Sequence, residues 1–128
     1  MRVLLDTHVL LWAGLEPERL APRVRDLLVD PSNDLVWSVV GTVEIAIKAG
    51  TGRLRLPGTA GEYVERKREE MGLEFLPLEH RHAVLLAALP PLHGDPFDRL
   101  LVAQARAEGI PLVTSDRALA AYGVEVLW

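Results

Sequence analysis

The sequence predicts an α/β domain built on a mainly parallel sheet. Short apolar runs of strand type alternate with stretches of helical periodicity along the whole chain. The first run, "RVLL", is apolar enough for a buried strand, and "DLVWS", "LEFLPL", "PLVT" and "VEVLW" are further candidates. The bulk properties agree. The chain has 128 residues, 49% hydrophobic and 25% charged, which suits one domain with a real core over residues 1–128.

Each element has a local cause. After "RVLL", the stretch "DTHVLLWAG" reads as a short helix that Asp6 or Thr7 can cap and Gly14 ends. "PERLAPRVRDLLVD" spaces Leu20, Val24, Leu27 and Leu28 at helical intervals. "DLVWS" is the second strand, followed by "SVVGTVEIAIKAG", a helix ending near Gly50. "TGRLRLPG" is a loop or irregular arm, and "TAGEYVERKREEMG" is a charged surface helix. "LEFLPL" is the third strand, and "EHRHAVLLAAL" is a helix broken by Pro90 and Pro91. In "HGDPFDRLLVAQARAEG", Asp95 can cap a helix, Pro96 suits its first position and Gly109 ends it. "PLVT" is a strand, "SDRALAAYG" a short helix and "VEVLW" a last strand.

Composition excludes several function classes. There is no cysteine, so disulfides, thiolate catalysis and cysteine zinc sites are out, and a cytoplasmic location is expected. No apolar run approaches the roughly 20 residues that span a bilayer, and the first residues carry no signal-peptide pattern. No membrane role is expected. The net charge is −4, so any contact with nucleic acid must rely on a local basic patch or on a metal. No internal repeat, low-complexity tract or linker is apparent.

The chain carries 18 acidic residues, most of them on charged, solvated faces. Asp6, Glu44, Asp98 and Asp116 differ. Asp6 and Asp116 end strand-like runs, where an aspartate is ordinarily a helix cap. Glu44 can pair with Lys48 four residues on, but its helix is apolar nearly all round and reads as buried, where a carboxylate is costly without a partner. Asp98 lies in a first helical turn, where its charge complements the dipole.

Taken together the four point elsewhere. In an open parallel sheet, functional groups gather beyond the carboxyl ends of the strands, and all four can converge there. Converging carboxylates repel, by roughly 4 kcal/mol for two charges about 4 Å apart at an effective dielectric near 20. Either a pKa rises or a cation neutralises the group, and an all-oxygen site favours Mg²⁺ or Mn²⁺ over zinc or copper. The histidines read as bystanders. His80 and His82 point to different helix faces, His8 reads as core-facing, and His93, near Asp95, reads as a solvated loop histidine or else as one that touches substrate.

"LLDTHVLLW", "VEIAIKAGTGRLRLP" and "LHGDPFDRLLVAQARAEGIPLVTSD" together resemble the PIN-domain family, especially VapC-like ribonuclease toxins of type II toxin–antitoxin systems. The likeness runs in order from residue 4 to 116, and "LDTH" with "DPFDRLLVAQA" are its most specific pieces. It implies a PIN-like three-layer α/β/α sandwich with a mainly parallel central sheet and an acidic pocket for Mg²⁺ or Mn²⁺. By that resemblance Asp6, Glu44 and Asp98 are metal-site acids, and Asp116 is a fourth that often binds through water. Asp95 belongs to the same motif but reads as the helix cap, held in reserve. Thr7 and Ser115 adjoin the acids and can support them. Gly41 and Val43 stand where relatives often have serine and tryptophan, which bears on packing ahead of Glu44 and not on the acids.

The implied activity is metal-dependent hydrolysis of RNA phosphodiester bonds, leaving a 5′-phosphate and a 3′-hydroxyl. No nucleophilic side chain is needed, in keeping with the lack of cysteine and of a convincing Ser–His–Asp set. Arg53 and Arg55 on the "TGRLRLP" arm, with Lys48 and Arg99, are candidate RNA contacts; each is otherwise a plain surface charge. Leu11, Trp12 and Leu15 with the second helix can form an apolar groove for a cognate antitoxin, or Trp12 is simply core. The family also implies a homodimer.

Other classes fit less well. A haloacid-dehalogenase-like phosphatase needs a second aspartate two residues after Asp6, where His8 stands. A receiver-like phosphorylation switch needs an acidic pair after the first strand and a late lysine, which "PLVTSD" lacks. A catalytically weak PIN domain that only binds RNA or a partner remains the alternative.

Overall fold

The computed structural model describes residues 1–128. The strands are β1 (Arg2–Leu5), β2 (Asp34–Ser38), β3 (Glu74–Leu76), β4 (Leu112–Val113) and β5 (Val126–Leu127). They form one sheet in the order β3-β2-β1-β4-β5, with every neighbouring pair parallel. Between them run α1 (Thr7–Leu15), α2 (Pro22–Val29), α3 (Val39–Gly50), α4 (Ala60–Met71), α5 (His80–Ala88) and α6 (Pro96–Glu108), with 3-10 segments at Pro17–Arg19 and Arg117–Tyr122.

Alternation along the strands makes two cores. Val3 and Leu5 of β1 join α1, α2 and α4 through Val9, Leu10, Val24, Tyr63 and Val64. Leu4, one residue out of phase, faces the other way toward Leu101 and Val102 of α6 and Leu119. With both faces of β1 covered, its residues are at most 1% exposed from Val3 to Leu5, which explains the unbroken apolar run. The α/β/α layering expected from the sequence is what forms. No helix is long and apolar enough to cross a membrane.

Two sequence expectations change. "PERLAPRVRDLLVD" is not one helix: the 3-10 turn ends at Arg19, Leu20 and Ala21 are extended, and α2 starts at Pro22. Proline disfavours helical backbone at the residue before it and has no N–H to continue a helix through. The helix α3 is not buried all round either. Val39, Val43 and Ile47 are 42%, 46% and 47% exposed and stand four residues apart, so they form one apolar stripe on the surface. Gly41 on the inner side lies against the fully buried Trp37 ring, and an added Cβ would come within 2.5 Å of it. That close approach gives the glycine at this position its reason, while Val43 stands on the exposed side.

The topology positions the site. β1 is central, and the chain leaves it toward β2 on one side and pairs with β4 on the other. The carboxyl ends of β1 and β4 therefore lie side by side at the point where the strand order reverses, the usual place for a site in such sheets.

Candidate functional site

Asp6 follows β1 directly and its N–H bonds the Val113 carbonyl of β4 at 3.0 Å. It stands at the N-cap position of α1, yet its side chain makes no cap bond. Instead Oδ2 accepts from the Thr114 hydroxyl at 2.8 Å. Oδ1 is buried with no partner. Burial raises the pKa of Asp6 and Glu44 raises it further; the Thr114 bond and His8 oppose the rise.

Glu44 is brought to the same edge by α3, which begins where β2 ends. Ser38 caps that helix by accepting from the Val40 N–H at 3.0 Å, and its hydroxyl donates to Gln104 of α6. Glu44 is 1% exposed. Its Oε2 accepts from Lys48 Nζ, while Oε1 is buried without a partner. The ion pair read from the spacing is real and uses only half of the carboxylate.

The start of α6 divides its two aspartates by role. Asp95 Oδ1 accepts from the N–H of Phe97 at 2.8 Å and of Asp98 at 3.2 Å, so Asp95 is the cap. Asp98 accepts no bond from its own helix, and its carboxyl is pushed up to about 7. Burial is the main cause, then the charges of Asp6 and Asp95, with Glu44 adding less and His93 opposing. Asp116, after β4, caps the last 3-10 helix: Oδ1 accepts from the Ala118 N–H at 3.1 Å. Its own N–H donates to Thr114 Oγ1 at 3.1 Å.

The structure thus brings Asp6, Glu44 and Asp98 within reach of one another's charge, with Asp116 beside Asp98. His93, expected as a solvated loop residue, belongs among them. Its Nε2 lies 2.9 Å from Asp116 Oδ2 and 3.7 Å from Asp98 Oδ2. A histidine two residues ahead of a capping aspartate is the only local signal; its partner is 23 residues away. His8 does not face the core: its side chain is 45% exposed, 3.9 Å from Asp6 Oδ1. Thr7 is fully buried with a free Oγ1, so it is close packed and available. Ser115 is exposed, and Thr114, which sequence reasoning missed, makes the supporting bond to Asp6.

The candidate cations divide as well. Lys48 is spent on Glu44, and Arg99 donates to the Leu89 carbonyl at 3.2 Å, strapping α6 to the end of α5. Arg53 and Arg55 are exposed and line a groove of about 570 Å³ with His8, Trp12, Arg19 and Lys48. Trp12 is half-buried there, edge-on to Trp128 at 5.9 Å and beneath the Arg19 guanidinium at 4.2 Å. A larger cleft, about 820 Å³, lies at the opposite, amino-terminal edge near Leu20, Leu28 and Asp34. It contains none of these acids, and the chemistry resides at the carboxyl edge.

Two buried carboxylate oxygens without a donor, beside a carboxyl that resists ionisation, are a poor resting state and a good oxygen set for a divalent cation. The PIN-domain family model matches residues 3–125. The chain belongs to the PIN-domain family. This PIN domain is 32% identical over 118 residues to Ribonuclease VapC22 of Mycobacterium tuberculosis (strain ATCC 25618 / H37Rv), covering 91% of this chain and 88% of the relative. Solved structures share its architecture. One is VapBC2 from Rickettsia felis bound to a promoter DNA fragment: TM-score 0.75, 16% identity, 99% of this chain and 98% of that one covered. Another is FitAcB from Neisseria gonorrhoeae, at TM-score 0.67, 22% identity, and 98% and 96% coverage. At such identities the structural likeness speaks for the PIN fold.

Proposed function

We propose that this PIN domain is a metal-dependent endoribonuclease and the toxin of a toxin–antitoxin pair, hydrolysing RNA phosphodiester bonds at the acidic pocket. The observation that carries the reading is the pair of buried, unpartnered oxygens, Asp6 Oδ1 and Glu44 Oε1, next to Asp98. A PIN-family relative named as a ribonuclease, aligned over most of both chains, supports it. Asp6, Glu44 and Asp98 would hold Mg²⁺ or Mn²⁺ directly, with Asp116 at the rim. A divalent ion held there supplies Lewis acidity toward phosphate and lowers the pKa of a water it binds.

The chain's own groups do the rest. Thr114 fixes one oxygen of Asp6, leaving the other free for the ion. Lys48 balances Glu44, so the pocket keeps less net negative charge against an incoming phosphate. Asp98, with its carboxyl raised to about 7, would have to be ionised to hold an ion, which would couple affinity to pH. Arg53 and Arg55, with no acidic partner, would track the RNA backbone along the groove beside Asp6. The same groove and the α1–α2 surface would receive an antitoxin segment, and the Val39–Val43–Ile47 stripe would be the seam of a homodimer. An RNA substrate would place its action in the cytoplasm.

The test is cleavage of structured RNA with Mg²⁺ or Mn²⁺ against EDTA, wild type beside Asp6→Asn. Metal-dependent cleavage by wild type alone is expected, with both proteins giving the same circular dichroism. Metal-independent cleavage, or equal cleavage by the variant, refutes the assignment. RNA binding without any cleavage would instead mark a PIN domain that serves only as a binding module.

A further inference from the structure

We propose that His93 is a positioning residue that holds Asp116 toward the acidic pocket through its Nε2–H, and that it is not itself a metal ligand. The inference rests on the metal-site reading proposed for the acidic pocket and assigns a role within it. The geometry first suggests the opposite. His93, Asp98 and Asp116 each offer an atom within 4.8 Å of the others, a spacing that could hold a metal ion. The hydrogen bonds decide against it. The Asp95 N–H donates to His93 Nδ1 at 3.0 Å, so Nδ1 carries the lone pair and the ring proton sits on Nε2. That proton points at Asp116 Oδ2, 2.9 Å away. A nitrogen that bears a proton has no lone pair for a metal, and moving the proton to Nδ1 would set it against the Asp95 N–H.

The consequence is a continuous brace across three elements. Asp95 caps α6 with its side chain and orients His93 with its N–H. His93 then holds one oxygen of Asp116, whose other oxygen is held by the Ala118 N–H. The Asp116 N–H reaches Thr114, and the Thr114 hydroxyl reaches Asp6. With both of its oxygens already accepting a bond, Asp116 keeps only its remaining lone pairs for a hydrated ion. It would therefore act from the rim, while Asp6 and Glu44 each offer a bare oxygen. Side chains that orient the groups around a metal typically contribute about 10- to 100-fold to metal affinity.

Two variants separate the two ends of the ring. His93→Gln can place an amide N–H near the Nε2 position and keep the bond to Asp116. His93→Asn can place its carbonyl near Nδ1, keeping the Asp95 bond and releasing Asp116. We expect long-range ¹H–¹⁵N spectra of the metal-free full chain to show the Nε2–H form of His93. By calorimetry with Mn²⁺ alone, His93→Asn should lose roughly tenfold in affinity, with His93→Gln within about threefold of wild type. Pulsed electron paramagnetic resonance of the Mn²⁺-loaded protein should show no nitrogen coupling from His93. An Nδ1–H form, a coupled imidazole nitrogen, equal losses in both variants, or no loss in either overturns the proposal. If wild type takes up no Mn²⁺, the metal-site reading falls and this one with it. Uptake that ignores His93 sinks this one alone.

Discussion

Replacing Asp98 by Asn should make the metal-free protein more stable at pH 8, and by only about a third as much at pH 5. The carboxyl rises from 3.8 to about 7 on folding. Between those values the folded state binds the proton and the unfolded chain does not, so stability falls as pH climbs from about 4 through 7. Fully desolvated, that difference is worth about 4 kcal/mol. The side chain is 16% exposed and its neighbours are partly solvated, so about half of that is realistic. Asn keeps the shape and the backbone N–H that Asp95 caps, but loses a charge at a helix start worth about 0.5 kcal/mol. The net gain is about 1.5 kcal/mol, or roughly 4–7 °C in melting temperature for a domain of this size. Thermal melts in EDTA at pH 5 and pH 8 read it directly. Adding Mn²⁺ at pH 8 should raise wild type and not the variant. A variant that is no more stable at pH 8, or is equally shifted at both pH values, would show that Asp98 does not stand among uncompensated charges.

Other outcomes follow from single interactions. Gly41→Ala drives a methyl into the Trp37 ring, and should cost about 1–3 kcal/mol in urea unfolding; an unchanged midpoint would mean the ring has room to move. Arg53→Ala with Arg55→Ala should weaken RNA binding across unrelated sequences and lower the salt slope by about 1 for each phosphate no longer neutralised. A loss confined to one RNA sequence would assign the arm to base reading instead. Ile47→Glu places a charge in the exposed stripe of α3 and should shift a dimer to monomer by light scattering, with the melting curve of dilute protein little changed. A monomeric wild type would leave the stripe without that partner.

The layering of the fold is legible because β1 is buried on both faces, and that burial writes an unbroken apolar run into three residues, Val3 to Leu5. The break ahead of the second helix is legible too, in Pro22, but the periodic leucines mask it. The site is readable as a set of acids and not as a set of roles. Asp6, Asp95 and Asp116 all look like caps in the sequence. Only the structure separates them: Asp95 and Asp116 give an oxygen to their helices, and Asp6 gives none. His93 and Thr114 are hidden from sequence reasoning because what matters is a partner 23 residues away for one and 108 for the other. The Val39–Val43–Ile47 stripe misleads for a different reason. An apolar helix face says that something covers it, and does not say whether the cover is this chain or another.

The same contrast explains why the acids need not be stable where they are. Sequence, sheet order and capping all agree elsewhere in the chain, and the conflicts collect at the carboxyl ends of β1 and β4. There the backbone is held firmly: Asp6 by the ladder to Val113, Asp98 by the Asp95 cap, Asp116 by Ala118 and Thr114. The charges cannot move apart, so burial first and repulsion second favour a proton on Asp98, and a cation between the carboxylates would relieve the repulsion. A rigid frame around mutually repelling oxygens binds a divalent ion more tightly than a pliable one. It has less to reorganise, and the ion removes a strain that is already present. Part of the stability that the metal-free fold gives up at pH 8 would then return as affinity for an ion held there.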